Sequence, residues 1–316
     1  MEGVTSSRVA AGWLSVATVA LMALAPGVAA QGSEIVRADR TSPYGRVRVT
    51  DYRSTGLRCL QFPPGRALQS CMKLDDPTSL VLPYSRAMAA TLAVPQHLQR
   101  LLMVGLGGGS LVRWVRHYLP ELQQDVVEID PVVVQVAREL FAVTPDDHVR
   151  LAVEDGRAFI VRAPSHYDLV WLDAYGPDSV PPHLTTVEFF QLVRAHLTPG
   201  GAVAANIWGP AVNPAYDSQV RAIQEVFPET YVLAEHLPGA SGMALSPGLA
   251  VMADGSRIVV GSLAPRLGAE AWAAAAATLQ VRRTLDLDLA ALVRAQYHLI
   301  SGEAVIALPP HDPPSR

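Results

Sequence analysis

The sequence is poor in cysteine, in aromatic residues and in net charge. Only 2 of its 316 residues are cysteine and only 6% are aromatic. The 29 acidic residues outnumber the 25 basic ones, so the formal net charge is −4. Without a basic excess the chain cannot neutralise many phosphates, which excludes a general nucleic-acid binder. Because 50% of the residues are hydrophobic and only 17% are charged, disorder is excluded for most of the chain.

The chain has one long uncharged stretch, residues 9–30, at its N-terminal end. A protein with several membrane spans is therefore excluded. The small residues Val28-Ala29-Ala30 before Gln31 are typical of a secretory cleavage site, but the stretch is also just long enough to span a bilayer. We expect residues 1–30 to be a signal peptide or an N-terminal anchor, so the protein is exported, periplasmic, or attached to the membrane only through residues 9–30. If translation began at Met22, the protein would instead be cytoplasmic.

The two cysteines, Cys59 and Cys71, lie symmetrically about Gly65. A hairpin that turns at residues 63–66 would bring them together across two strands. In an oxidising compartment such a pair forms a disulfide, in agreement with the export signal. The alternative is that both are small buried hydrophobic residues.

The pattern of apolar residues divides the chain into three parts after residue 30. Residues 31–82 contain short alternating runs broken by Gly and Pro, which predict a small β-strand domain. In residues 83–263 apolar strand segments alternate with helical ones, which predicts an α/β fold with a mainly parallel sheet. Seven segments of this region read as strands: 101–105, 125–130, 149–153, 167–173, 201–207, 231–234 and 257–261. Residues 264–316, which include an alanine run, predict a helical C-terminal tail.

Glycines and acids follow three successive strands of this α/β region. A glycine-rich loop, Gly105 to Gly109, follows the first strand, Glu128 ends the second, and Asp155-Gly156 follows the third. Ligands bind open α/β sheets at the carboxyl ends of strands, where glycines allow close backbone approach and a carboxylate can accept hydrogen bonds from ribose hydroxyls. Each feature alone has a structural explanation, but their order and spacing together predict a nucleoside site.

The glycine loop reads G-x-G-G-G rather than the G-x-G-x-x-G of dinucleotide enzymes. With the segment Val127-Glu128-Ile129-Asp130-Pro131, it resembles class I methyltransferases and, more closely, the spermidine synthase family, in particular a diverged bacterial group of that family. The resemblance covers most of residues 40–262 and also rests on the segments 44–49, 69–70, 83–84, 155–156 and 168–184. It implies a Rossmann-type, class I S-adenosylmethionine-methyltransferase-like fold, with a mainly parallel seven-stranded sheet and a small N-terminal β domain.

The resemblance also implies a reaction and a set of site residues. The reaction is transfer of an aminopropyl group from decarboxylated S-adenosylmethionine to a polyamine-type amine, without a metal, and Asp173 matches the general base. The protein is expected to act on a small-molecule amine and to form a homodimer. The residues implied to hold the sulfonium co-substrate are Gly105, Gly107, Gly108, Gly109, Ser110, Glu128, Ile129, Asp155, Gly156 and Gln69. Those implied to hold the amine are Tyr84, Tyr175 and Asp178.

Two positions depart from the family's pattern. The family has an aspartate directly after the three glycines, where it grips the donor's amine, and this chain has Ser110. The family also has an aspartate three positions after the general base, and this chain has Gly176. Two alternatives therefore stay open: a methyltransferase that uses ordinary S-adenosylmethionine, and a non-catalytic protein that binds a nucleoside or a polyamine.

The sequence contains neither the nucleophile motif of serine hydrolases nor a metal-binding motif. No G-x-S-x-G elbow occurs, and no H-E-x-x-H or paired-cysteine metal motif is present. Two interpretations of His183 stay open: a histidine of a surface loop, and a residue near Asp178 that touches the substrate.

Overall fold

The structure, a computed structural model, describes most of the chain after residue 33. The described residues are 34–65, 67–164, 166–174, 180–234, 244–246, 249–250 and 255–300. Within these ranges, none of the helices combines the length and the apolar composition that crossing a membrane requires. The predicted signal peptide or anchor, residues 1–30, lies outside the described residues.

The first four strands form an antiparallel sheet, which we call the N-terminal sheet. In order across the sheet they are β1 (Glu34–Ser42), β2 (Gly45–Tyr52), β3 (Leu57–Gln61) and β4 (Leu68–Lys73). Valines 47 and 49 alternate with arginines along β2, so one face of the strand is apolar. This face packs against apolar residues of the helix at 131–140, among them Val133 and Val136.

The pairing of β3 with β4 sets Cys59 directly opposite Cys71, and a disulfide joins them. Both side chains are also fully buried, in a small apolar cluster with Tyr52 and Val81. The hairpin geometry expected from their spacing is therefore present, and the pair is at once a covalent link and part of the core.

A second, larger sheet carries the α/β region. Its strands are β5 (Arg100–Val104), β6 (Gln123–Glu128), β7 (Val149–Val153), β8 (Tyr167–Leu172), β9 (Leu197–Trp208), β10 (Glu229–Ala234), β13 (Ser256–Ser262) and β14 (Tyr297–Leu299). The short strands β11 (Ala244–Ser246) and β12 (Leu249–Ala250) pair with each other in a separate sheet. The helices are α1 (Pro83–Ala90), α2 (Ser110–Tyr118), α3 (Pro131–Leu140), α4 (Gly156–Arg162), α5 (Val187–Ala195), α6 (Tyr216–Gln224), α7 (Ala269–Arg283) and α8 (Leu289–Gln296).

The strand order of the large sheet is β14-β10-β13-β9-β8-β5-β6-β7. The five strands β9, β8, β5, β6 and β7 run parallel. Beyond β9 each pairing is antiparallel, β9 with β13, β13 with β10 and β10 with β14. Helices cover both faces, with Trp114 and Trp272 buried on one side and Phe159 and Phe189 on the other. This is the α/β methyltransferase-like fold that the sequence predicted. The parallel part brings the carboxyl ends of β5, β6, β7 and β8 to one edge.

The large sheet has eight strands, not the seven that were predicted. The eighth is β14, which pairs with β10 through Tyr231 and Leu299, so the segment after residue 263 is not purely helical. A three-residue strand carries too short a pattern to be recognised from sequence. The helices α7 and α8 agree with the predicted tail, and α8 leads directly into β14.

We expect loss of the disulfide to destabilise the protein. Cys59→Ala combined with Cys71→Ala should lower the free energy of unfolding by about 2–3 kcal/mol, because the bridge closes a loop with a sequence separation of 12 and so restricts the unfolded chain. Urea unfolding of both proteins without reductant measures the difference. In dithiothreitol most of the difference should vanish, whereas equal midpoints without reductant would contradict the prediction.

Candidate active site

A cavity of about 310 Å³ opens where the carboxyl ends of the parallel strands meet the N-terminal sheet. Its described lining residues fall into three groups. The N-terminal sheet with the turns between its strands, together with α1, contributes Tyr44, Gly45, Val47, Phe62, Gln69 and Tyr84. The ends of β5, β6 and β7 and the elements after them contribute Val104, Gly105, Leu106, Gly107, Val127, Glu128, Ile129, Asp130, Val133, Glu154, Asp155 and Gly156. The segment after β8 contributes Asp173, Ala174, Pro181, His183 and Leu184.

The glycine loop begins at Gly105, where a side chain is excluded. Its φ is 101°, and a Cβ atom there would lie only 2.2 Å from the carbonyl oxygen of Asp173. Glycine at this position therefore lets β5 and the residues after β8 approach closely. Gly107 continues the cavity wall, whereas Gly108 faces Ser70 and Phe141 and Gly109 precedes α2 in a left-handed conformation.

Glu128, at the end of β6, joins the glycine loop to the start of α3. One carboxylate oxygen accepts a hydrogen bond from the Leu106 amide and the other from the Asp130 amide, each at 3.0 Å. Burial raises the pKa of Glu128, and these backbone donors oppose the rise. Each oxygen can accept a second hydrogen bond, so Glu128 remains suited to a pair of hydroxyl groups in the cavity.

Asp155 both caps a helix and faces the cavity. One of its oxygens accepts the amide of Ala158 at 2.9 Å, and the other lies 2.7 Å from Nε2 of His183. Burial would raise the pKa of Asp155, but the hydrogen bonds from Ala158 and His183 outweigh burial, so the pKa is below its usual value. His183 is thus both exposed and part of the cavity wall, whereas its contact with a substrate stays a prediction. The sequence did not show the contact of His183 with Asp155, because the two residues are 28 positions apart.

Asp173 follows β8 and lies in the wall of the cavity. Its amide donates to the Val104 carbonyl at 2.8 Å, and its carboxylate accepts a 2.8 Å hydrogen bond from Nδ2 of Asn206. Burial raises the pKa of Asp173 to about 7, although hydrogen bonds from Asn206 and Tyr84 lower it. The nearby charge of Glu128 adds to the rise. A carboxylate with this pKa can accept a proton at neutral pH.

Asn206 did not stand out in the sequence. It lies in β9 within an apolar segment, and its contact with Asp173 spans 33 residues. A polar residue inside a buried strand is the one signal that could have identified it, because such a residue needs a partner in the core.

Ser110 begins α2 behind the glycine loop and does not line the main cavity. Its hydroxyl donates to the Cys71 carbonyl at 3.0 Å and lies 3.1 Å from Oγ of Ser70. Nη2 of the buried Arg113 lies 3.5 Å from the same hydroxyl. Where the family has an acid, this chain has the hydroxyl of Ser110. The hydroxyl of Ser70 lies next to it, and the cation of Arg113 lies behind it.

The N-terminal sheet covers one side of the cavity. The Ser42 hydroxyl donates to Asp130 at 2.5 Å, and Asp130 also caps α3 through the Val132 amide. These contacts hold Tyr44 and Gly45 over the end of β6. Gln69 lines the cavity from β4, and its carbonyl accepts a hydrogen bond from the Tyr84 hydroxyl at 3.2 Å.

The cavity therefore brings together most of the predicted site residues. Gly105, Gly107, Glu128, Ile129, Asp155, Gly156, Gln69, Tyr84 and Asp173 line it, and Gly108, Gly109 and Ser110 lie behind it. Tyr175 and Asp178, together with Gly176, lie outside the described residues. Across the described ranges, no three His, Cys, Asp or Glu side chains are grouped in a way that could hold a metal ion.

The burial of Asp173 makes stability depend on pH. The carboxyl group of Asp173 keeps its proton up to pH about 7 in the folded chain, whereas an aspartate ordinarily has a pKa of 3.8. The stabilisation that comes from this bound proton is fully present below pH 3.8 and is lost as the pH rises to about 7. The free energy of unfolding should fall by about 1.4 kcal/mol per pH unit in this range relative to Asp173→Asn. Urea unfolding of both proteins between pH 4 and about 9 measures the difference, and a difference independent of pH would contradict the expected burial cost.

Comparison with known proteins extends the likeness beyond the site. The model of the "Spermine/spermidine synthase domain" family matches residues 83–249. A polyamine aminopropyltransferase of Vibrio vulnificus is 32% identical over 63% of this chain and 68% of its own length. A second aminopropyltransferase, of Chromobacterium violaceum, is 34% identical over 51% of this chain but over only 61% of its own length, so the chain spans about two thirds of such relatives or less.

Relatives of another activity and solved structures match as well. An "eEF1A lysine and N-terminal methyltransferase" of Mus musculus is 32% identical over 50% of this chain and 25% of its own length. The structure of a probable spermidine synthase from Corynebacterium glutamicum matches with a TM-score of 0.63 at 20% identity, over 86% of this chain and 99% of its own, which shows the shared fold. From its family model and its relatives, this chain belongs to the spermine/spermidine synthase family.

Proposed function

We propose that this protein transfers an aminopropyl group from decarboxylated S-adenosylmethionine to a small-molecule amine of the polyamine type. The observation that carries this proposal is the position of Asp173. It is a buried carboxylate with a pKa of about 7, at one end of a cavity whose other end is formed by Glu128 and Asp155. The aminopropyltransferase activity named for the relatives supports it.

The described residues suit a sulfonium nucleoside. Glu128 has acceptor capacity for two ribose hydroxyls, and Asp155 with Gly156 can meet the edge of an adenine. The backbone of Gly105 to Gly107 allows the nucleoside to lie against the loop without side chains between them. When bound, the donor supplies a carbon activated by the positive sulfur next to it.

Asp173 removes a proton from the acceptor amine, which makes the amine reactive. An aliphatic amine is protonated at neutral pH and has no lone pair for attack, so a base with a pKa near 7 is suited to deprotonate it. The amine nitrogen then forms a bond to the carbon beside sulfur, the carbon–sulfur bond breaks, and methylthioadenosine leaves with the electron pair. Asn206 holds the carboxylate of Asp173, and fixed positions of both reactants contribute much of the acceleration.

Methyl transfer from ordinary S-adenosylmethionine is the second candidate. The likeness to a protein methyltransferase favours it, as does Ser110 in place of an acid that would repel the carboxylate of that donor. Methyl transfer would release S-adenosylhomocysteine instead of methylthioadenosine, so the two candidates differ in product.

We also propose a setting for the protein. The uncharged stretch at residues 9–30 supports export or attachment to a membrane by this segment alone. We propose that the protein acts as a homodimer, as the family resemblance implies. Chromatography with light scattering tests the dimer, and mass measurement of the mature N-terminus tests the cleavage.

The first experiment offers both sulfonium donors and a mixture of polyamines to the purified full chain, with mass spectrometry as the readout. We expect an aminopropylated amine and methylthioadenosine. In Asp173→Asn the rate should fall by roughly 10²–10⁴-fold, because the general base is lost. Formation of S-adenosylhomocysteine with a methylated amine would select the second candidate. Donor binding without any product would instead indicate a non-catalytic binding protein.

The rate of the reaction should depend on pH in a defined direction. We expect kcat/KM to rise with pH and to level off above an inflection near 7, since only the ionised Asp173 accepts a proton. A profile that falls with rising pH through this range would contradict Asp173 as the base.

Removal of Asn206 should move this inflection. Asn206→Ala takes away a hydrogen bond that lowers the pKa of Asp173, so the inflection should shift to higher pH. Asn213→Ala is the matched control, because Asn213 bonds to Trp208 and Gln219 and not to Asp173. An equal inflection in Asn206→Ala and wild type would exclude this positioning role.

A further inference from the structure

The pair formed by His183 and Asp155 belongs to the wall of the main cavity, and both residues line it. Nε2 of His183 lies 2.7 Å from one carboxylate oxygen of Asp155, and the two side chains are 46% and 31% exposed. An exposed pair of this kind contributes only about 0–1 kcal/mol to stability. Stability of the fold is therefore a weak reason for this contact, whereas its place in the cavity wall points to a bound ligand.

The direction of the hydrogen bond in this pair follows from the charge of Asp155. The pKa of its carboxyl group is below the usual value, so the group is ionised at neutral pH and can only accept hydrogen bonds. Nε2 of His183 therefore carries the hydrogen that lies between the two side chains. Hydrogen bonds to an ionised acceptor are among the stronger ones in proteins.

Two hydrogen bonds together fix the plane of the Asp155 carboxylate. One oxygen accepts the Ala158 amide at 2.9 Å, as the cap of α4. This bond alone leaves the carboxylate free to turn about the capped oxygen. The bond from His183 to the other oxygen removes that freedom. Each oxygen keeps the capacity to accept a second hydrogen bond, and this capacity then has a fixed direction.

The backbone holds His183 in place from both sides. Pro181 and Pro182 precede it, and their rings fix the φ angles of the chain that enters a short 3₁₀ turn. The carbonyl of His183 accepts a hydrogen bond from Nη1 of Arg157 at 3.2 Å. Leu184, the next residue, is buried in the core. The ring of His183 is thus carried by a segment that is anchored before and after it.

A fixed, ionised carboxylate distinguishes purines by the group at position 6 of the ring. Adenine carries an amino group there, which donates hydrogen bonds, whereas 6-oxo purines carry an accepting oxygen. A carboxylate that can only accept matches the amino group and repels the oxygen. In the proposed function the base of the donor is an adenine that lies at Asp155.

We propose that His183 is a positioning residue for the donor. It orients the Asp155 carboxylate toward the 6-amino group of the adenine, and so sets the preference of the site for a 6-aminopurine. This inference rests on the proposed function, because it uses the same nucleoside site. The effect of His183 reaches the donor through Asp155, so it acts on donor binding and not on the transfer step at Asp173.

Isothermal titration calorimetry of the full chain compares two probes. Methylthioadenosine carries the 6-amino group, and the 5′-methylthio derivative of purine riboside lacks it. We expect the wild type to bind methylthioadenosine roughly ten- to hundredfold more tightly, the worth of a hydrogen bond to a charged group. His183→Phe keeps a ring but cannot donate to Asp155, so most of this preference should be lost. An unchanged preference in His183→Phe overturns the inference and leaves the proposed function intact.

A second variant separates the hydrogen bond from the shape of the ring. In His183→Gln the side-chain amide can donate to Asp155, so most of the preference should return. If this variant behaves as His183→Phe does, the role of the hydrogen bond is wrong. His97→Phe is the matched control, because His97 is exposed and precedes β5 at the edge of the sheet away from the cavity. It should keep the preference of the wild type.

Steady-state kinetics with decarboxylated S-adenosylmethionine separate donor binding from the transfer step. We expect His183→Phe to raise the KM for the donor roughly tenfold and to leave kcat within about twofold, because a contact made equally before and during the reaction is lost. A lower kcat with an unchanged KM would overturn the inference, since the effect would then lie at Asp173.

Failure of the nucleoside site and failure of the proposed reaction have different signatures. If the wild type does not bind methylthioadenosine, the nucleoside site is wrong, and with it both proposals. If the wild type binds it with the expected preference but catalyses no transfer, the proposed function is wrong and the role of His183 in donor binding stands.

Discussion

The close approach of β5 and the residue after β8 is the constraint on which the site depends. The Asp173 amide bonds to the Val104 carbonyl, and the missing side chain of Gly105 leaves room for the Asp173 carbonyl. This contact fixes a carboxylate at the edge of the sheet, in the wall of the cavity. Its raised pKa follows directly from that position, since burial disfavours the charged form.

The other acids of the cavity are held by the helices that follow their strands. Glu128 bonds to amides of the glycine loop and of the start of α3, and Asp155 caps α4 while it meets His183. Each acid therefore has a structural role and a free acceptor capacity at the same time. Each of these two acids is held in part by a nearby amide, that of Asp130 or Ala158, and in part by a partner that is distant in the chain, Leu106 or His183.

Charges of opposite sign lie at different places around the cavity. Five acidic residues line it, Glu128, Asp130, Glu154, Asp155 and Asp173, whereas the buried Arg113 lies behind Ser110, outside the lining. In a buried site such charges act over short distances with little screening.

The sequence alone determined the order of strands and helices, the glycine loop, and the acids at the strand ends, because these features are local and have regular spacing. It also indicated the pairing of Cys59 with Cys71, since a short hairpin defines its own register. The tertiary structure decided what depends on distant contacts. Asn206 meets Asp173, His183 meets Asp155, and Arg113 lies beneath Ser110 among carbonyls from three segments. The eighth strand, β14, likewise exists only because Tyr297 to Leu299 find the edge of β10. Apart from the polar Asn206 inside an apolar strand, no local pattern marks such residues, because their roles arise from partners that the folded chain brings to them.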